Sequence, residues 1–218
     1  MRKTGQPSRG KRLLTGILMT ILILISLGLI FNRQLAMLLV RHNQSQLDHL
    51  PKTTLVQNSQ HQHWQKHPAK VKNFSNGDAV KSMSQTKQNR QATIAYLNIP
   101  RINVHLPILY QVTNAHLSVG VATLRASEKL GQGNFVIFGH NFENSTMLSN
   151  LQKLRKGNQI ETTNGRHTYR YRVTQNIVIN EYNWHYTKPS HQKIITVITC
   201  ADGGATRQIV RGKLVAIS

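Results

Sequence analysis

From Leu13 to Phe31 the chain runs nineteen residues without a charge, and that stretch constrains everything after it. Wound as a helix, nineteen such residues are long enough to cross a bilayer. Arg2, Lys3, Arg9, Lys11 and Arg12 precede the run with no acid among them, whereas only Arg33 and Arg41 follow soon after. Basic residues favour the cytoplasmic side, so residues 1–12 read as a cytoplasmic tail and residues 13–31 as a transmembrane anchor. A cleaved signal peptide has a shorter apolar core, about 7–15 residues, and an A-x-A-like site. Ser26-Leu27-Gly28 resembles such a site only weakly and lies in the wrong place. The remainder of the chain is therefore expected outside the cell.

Residues 32–90 are expected to be a polar tether. From His42 to Arg90 the sequence is rich in Gln, Asn, His, Lys and Ser and poor in large apolar residues, too poor to offset the entropy of ordering. His61, His63 and His67 have no Cys or acid beside them and read as solvated linker histidines, not metal ligands. A short helix near Asp78–Lys87 is expected, with Asp78 as its cap. That leaves residues 91–218, a single domain's worth of chain.

The charge bounds the partners. Twenty-eight Lys and Arg stand against seven acids, a formal +21, and such a field attracts polyanions. The charges are scattered and not interleaved with stacking aromatics, so an anionic membrane or acidic wall polymer fits better than nucleic acid.

After Gln91 the pattern is strand upon strand. Thr93–Ile99, Val104–Leu109, Asn134–Phe138, Gln159–Thr163, His167–Ile179, Lys193–Cys200 and Gln208–Ile217 are short β-rich runs separated by turn residues,. Asn164-Gly165 marks a hairpin. Tyr169, Tyr171 and Val173 alternate with Arg170 and Arg172, as on a half-buried strand, while Lys193–Cys200 is apolar on both faces and so central. Helical pattern is limited to Ala115–Val119 and Thr146–Leu154. The expected fold class is all-β, a barrel or sandwich.

Cys200 is the chain's single cysteine. By itself a lone cysteine is more often a small buried apolar residue than a nucleophile. Its company changes the reading. A thiol attacks as thiolate and needs a proton acceptor nearby, and a developing oxyanion needs a donor, which an always-charged arginine supplies. His140, Cys200 and Arg207 all fall at ends of expected strands. If 201–206 is a hairpin loop, Cys200 and Arg207 are opposite one another and share a face. Arg211 shares that face but lies about 13 Å further along the strand.

These residues resemble the sortase family. Thr196-Val197-Ile198-Thr199-Cys200 is similar to the family's T-L-x-T-C, with Val197 in place of Leu. Ala205–Gly212 resembles the stretch around its active-site arginine, and Val136–Asn141 the strand end carrying its histidine. Ile94–Pro100 and Leu106-Pro107-Ile108 resemble its first two strands. The resemblance implies a closed eight-stranded β-barrel with short helices. It implies cleavage of a C-terminal LPXTG-type sorting signal through a Cys200 thioester, and transfer to an amine of a lipid-linked peptidoglycan precursor. His140 and Arg207 would complete the catalytic set, and Thr199, beside the nucleophile, would contact substrate. The single N-terminal span looks like the class A branch. Several class A members bind calcium through clustered carboxylates before the histidine strand; here residues 124–134 offer only Glu128, so neither a metal site nor a cofactor is expected. The competing readings are an extracellular cysteine peptidase, an L,D-transpeptidase, or a non-enzymatic wall-polymer-binding protein, the last explaining the charge but not the cysteine.

Overall fold

The computed structural model describes residues 9–61, 76–142, 146–201 and 204–218; most of the basic tail, His63 and His67 lie outside them. Eight strands close into a barrel. In chain order they are β1 (Thr93–Ile99), β2 (Val104–Leu109), β3 (Val121–Thr123), β4 (Asn134–Phe138), β7 (Gln159–Thr163), β8 (Thr168–Asn180), β9 (Ile194–Ala201) and β10 (Thr206–Ile217). Around the barrel the order is β1-β2-β3-β4-β9-β10-β8-β7, with β7 returning to β1. A separate two-stranded pair, β5 (Asn141–Phe142) and β6 (Thr146–Met147), lies beyond β4. The helical expectation for Thr146–Leu154 is thus corrected to a short strand followed by a 3-10 turn at Leu151–Lys153. Leu148, Leu151 and Leu154 are fully buried there, and their spacing mimics an amphipathic helix.

Alternation along the strands separates two apolar layers. Leu97 and Ile99 on β1, Phe135 and Ile137 on β4, and Ile195 and Val197 on β9 fill the barrel interior. Val136, Ile198 and Ile209, the intervening residues of β4, β9 and β10, form a second cluster on the opposite face with Phe138, Ile177 and Ile179 packed around it. β9 is therefore buried on both sides, which explains its unbroken apolar run.

The largest departure from expectation is in residues 32–90. Where the sequence suggests a tether, the described residues form an arm docked on the barrel. Helix α1 (Arg9–Ser45) continues past the exposed, membrane-length stretch Leu13–Asn32 and buries Ala36, Val40 and Asn43, with Leu47 just beyond its end. That 4-3-4 spacing is one helical face, seated partly on the barrel core. Helix α2 (Lys52–Gln60) adds Leu55, which packs with Leu50 and Tyr96 of β1. The Tyr96 hydroxyl accepts from Leu50 N at 2.8 Å and donates to Leu47 O at 2.7 Å. In place of the single helix expected near Asp78 stand α3 (Asn76–Ser84) and α4 (Thr86–Ala92). Asn43 of α1 donates to Ser82 of α3. Few apolar residues suffice because each is buried against a barrel that already exists.

Tyr96→Phe should leave the buried Leu50 N–H and Leu47 carbonyl unpaired and cost about 1–3 kcal/mol of stability. Denaturant unfolding of the detergent-solubilised chain reads this. Unchanged stability would mean that the arm is not docked through Leu47–Leu50.

Candidate functional site

Two strand registers assemble the site. β4 and β9 run parallel, with Asn134 opposite Ile194 and Phe138 opposite Ile198. Carried two residues past β4, that register sets His140 beside Cys200. Gly139 N donates to Ile198 O at 3.0 Å, so the pairing extends beyond the strand end. β9 and β10 run antiparallel, with Arg207 directly opposite Cys200. His140 and Arg207 thus flank Cys200 from neighbouring strands, each about 4.8 Å away strand to strand. All three alternate in step with Val136, Ile198 and Ile209, so they stand on the outer face, at one end of the apolar cluster these residues form.

Local bonds hold the three elements in place. Asn141 Nδ2 donates to Cys200 O at 2.8 Å, linking the segment after His140 to the backbone of β9. Gly139 is closely packed: a Cβ there would lie 2.7 Å from Leu148 Cδ1 and 2.8 Å from Val121 Cγ1, so those side chains would have to shift. Thr199 has an inward position. It is 2% exposed and its hydroxyl donates to Gly139 O at 2.8 Å. That bond clamps β9 to the histidine segment, and alternation turns residue 199 to the face opposite Cys200.

Cys200 is half-buried and not in a disulfide. Burial holds the His140 imidazole down at about 4, against the opposing pull of the Asp78 carboxylate, because a cation is poorly solvated there. His140 is therefore neutral at pH 7 and able to accept a proton. The Arg207 guanidinium donates through Nη1 to Gly204 O at 2.7 Å and Thr206 O at 2.9 Å, and through Nη2 to Glu181 Oε2 at 3.0 Å. Five donors sit on a guanidinium, so the fork is fixed while capacity remains for an oxyanion. Arg211 is paired with Thr196, further along, and its guanidinium stands over the Tyr186 ring at 5.7 Å.

Sequence reasoning passed over Glu181 and assigned Asp78 only a capping role. Both act through tertiary proximity, Glu181 on Arg207 and Asp78 on His140, and neither has a motif. The composition of the chain held one clue, since with seven acids in 218 residues any acid beside a catalytic candidate merits scrutiny.

The residues do not fit a calcium ion at the loop before β4. The Glu128 carboxylate pairs with Arg125 at 2.9 Å and accepts from Val136 N at 2.9 Å. Arg125 also donates to Thr187 O, and to Asn134 O at 3.1 Å. A guanidinium thus ties that loop to the segment between β8 and β9, occupying the carboxylate a metal would need. Among the described residues no three acidic, His or Cys side chains gather as a ligand set.

The chain is similar in sequence and fold to known proteins. The Sortase domain family model matches residues 97–215. The chain is 27% identical over 168 residues to Sortase A of Bacillus anthracis, covering 75% of this chain and 80% of that protein. It is 26% identical over 218 residues to Sortase A of Streptococcus agalactiae, covering 89% and 81%. The crystal structure of Listeria monocytogenes sortase A superposes with a TM-score of 0.57 at 26% identity, covering 58% of this chain and 90% of the other. The family match spans more than half of the chain and every strand that carries the site, and the chain belongs to the sortase family.

Proposed function

We propose that this sortase cleaves an LPXTG-type C-terminal sorting signal and passes the surface protein to an amine of a lipid-linked peptidoglycan precursor, with Cys200, His140 and Arg207 as its catalytic residues. The observation that carries this reading is the double register: β9 holds Cys200 between His140 on its parallel neighbour and Arg207 on its antiparallel one. The apolar floor of Val136, Ile198 and Ile209 beneath them suits the leucine of such a signal.

Each step uses a group the site supplies. Neutral His140 takes the thiol proton as Cys200 Sγ attacks the carbonyl carbon of the scissile peptide. The oxyanion that forms is met by the Arg207 fork. His140 then gives its proton to the departing amine, the C–N bond breaks, and a thioester remains. An incoming amine attacks the thioester carbonyl, its proton passes back through His140, and the carbonyl–Sγ bond breaks. Arg207 is suited to the oxyanion because it never loses its charge and is prealigned by Glu181 and two carbonyls.

The variants should separate mechanism from charge. In a quenched LPXTG-peptide assay, Cys200→Ala and His140→Ala should abolish acyl transfer. Arg207→Ala should lose about 10²–10³ in turnover, with Arg207→Lys rescuing only part. Arg211→Ala should lose little, its guanidinium being occupied over Tyr186. A dead Arg211→Ala enzyme beside a near-normal Arg207→Ala enzyme would refute the assignment. Circular dichroism confirms that each variant is folded.

The buried imidazole sets a pH dependence. Unfolded His140 binds a proton near 6.5, whereas the folded residue does so only near 4. Between those values the unfolded state holds more protons, so stability is complete above pH 6.5 and falls as pH drops towards 4. Unfolding of the detergent-solubilised protein at stepped pH should show that slope, and His140→Gln should flatten it. An equal slope in both proteins would place the imidazole in water.

Topology follows from the basic residues before the anchor. The N-terminus should lie in the cytoplasm and the barrel outside. A membrane-impermeant maleimide added to intact cells should label Cys200, the chain's one thiol. Labelling only after lysis would reverse the orientation.

A further inference from the structure

Three consecutive carbonyls of the connection between β8 and β9 are held by side chains from elsewhere in the barrel. Asn134, at the start of β4, donates through Nδ2 to Tyr186 O and to Lys188 O, each at 2.9 Å. Arg125, in the β3–β4 connection, donates through Nη1 to the Thr187 carbonyl between them. Both side chains are themselves fixed. Asn134 is 4% exposed, and its Oδ1 accepts from Thr196 Oγ1 of β9 at 2.6 Å. Arg125 Nη2 donates to Asn134 O at 3.1 Å and pairs with the Glu128 carboxylate, whose side chain is 1% exposed. A guanidinium's planar fork suits several fixed acceptors at once.

The segment held in this way is the 3-10 turn Trp184–Thr187, which carries two aromatic rings to the outer face of the sheet. Tyr186 packs against the cluster of Val136, Ile198 and Ile209. The Trp184 ring lies 6.4 Å from that of Phe138, centroid to centroid, and Phe138 stands on the same face as His140, two residues before it. Trp184 is nevertheless 56% exposed, an apolar surface left open beside the site. So short a 3-10 turn has weak hydrogen bonds of its own, and the position of both rings depends on the clamp.

We propose that Arg125 and Asn134 are positioning residues for the acyl donor: by fixing carbonyls 186–188 they set Tyr186 and Trp184 as one wall of the groove that receives the donor's apolar side chain beside Cys200. The inference rests on the acyl-transfer reading above for the identity of that donor. Arg125 and Asn134 act through the turn, and their contribution is preorganisation. Its loss therefore shows in the affinity and selectivity for the donor and not in the chemical step.

Arg125→Ala would strand the buried Glu128 carboxylate, so two gentler changes test the clamp in the full chain in detergent. Arg125→Lys keeps the charge and loses the fork. The paired change Arg125→Gln with Glu128→Gln leaves no buried charge behind. In cleavage of the quenched LPXTG peptide both should raise KM by about tenfold, the size of losing a buried hydrogen bond, while kcat stays within about twofold. With the peptide's leucine replaced by alanine, the parent enzyme should lose affinity and the variants should lose much less. That coupling between turn and leucine is not produced by lowered stability alone. Trp64→Phe leaves Trp184 as the single tryptophan, and its fluorescence anisotropy, without peptide, should fall in both variants.

Unchanged KM, a lowered kcat at constant KM, an undiminished preference for leucine, or unchanged Trp184 anisotropy would overturn the proposal. Peptide binding to Cys200→Ala protein, read by quenching of Trp184, is independent of the chemistry. A tenfold loss of that binding in both variants, beside a parent enzyme that forms no thioester, would keep the clamp and sink the acyl-transfer reading.

Discussion

Everything at the site depends on the pairing of β9 with a parallel neighbour on one side and an antiparallel neighbour on the other. Parallel pairing with β4 sends both chains out at the same end of the barrel, so the residues just past Phe138 and Ile198 emerge together. Antiparallel pairing with β10 returns the chain to that end within a few residues, so Arg207 meets Cys200 across the hairpin. A slip of one residue in either ladder would turn a side chain to the opposite face of the sheet. Apolar residues on both faces of β9 resist that slip. Thr199, Gly139 and Asn141 then fasten the frayed end, where ladder bonds alone would be weakest.

The electrostatics of the site are set by burial and by scarce acids. Desolvation keeps His140 neutral, and Asp78 works against it from the arm. Glu181 holds Arg207 from the segment after β8. In a chain so rich in cations, these two carboxylates are placed against the two residues that flank Cys200. Arg125 does a related job at the barrel rim, bridging loops with a fixed cation.

Helix α1 joins an exposed apolar stretch, which fits a single-pass membrane anchor, to the barrel. Three residues of one helix, a rise of about 6 Å from Asn32 to Ala36, separate the exposed apolar stretch ending at Asn32 from Ala36, buried on the barrel. The arm also carries Asp78, whose charge acts on His140.

The strands and the N-terminal apolar helix were legible in the sequence, and so was the placing of His140, Cys200 and Arg207 at strand ends, because each rests on local pattern. Period-two alternation marks strands, nineteen uncharged residues mark a membrane helix, and Thr196–Cys200, Val136–Asn141 and Ala205–Gly212 carry the family's local motifs. The hairpin at 201–206 even fixed which arginine faces the cysteine, since register across so short a connection is nearly a local property. Three things were not legible. The leucines of residues 148–154 imitate a helix because their spacing says which side is buried but not what backbone carries them. The docked arm looked like a tether because Ala36, Val40, Leu47 and Leu55 are too few to bury one another and gain their burial only from the barrel. Thr199, Glu181 and Asp78 took their surroundings from partners 26 to 62 residues away. The sequence by itself determined which residues could do the chemistry and on which strands they would stand. Only the tertiary structure decided what surrounds them, because burial, cavities and long-range charge exist only once distant segments have packed together.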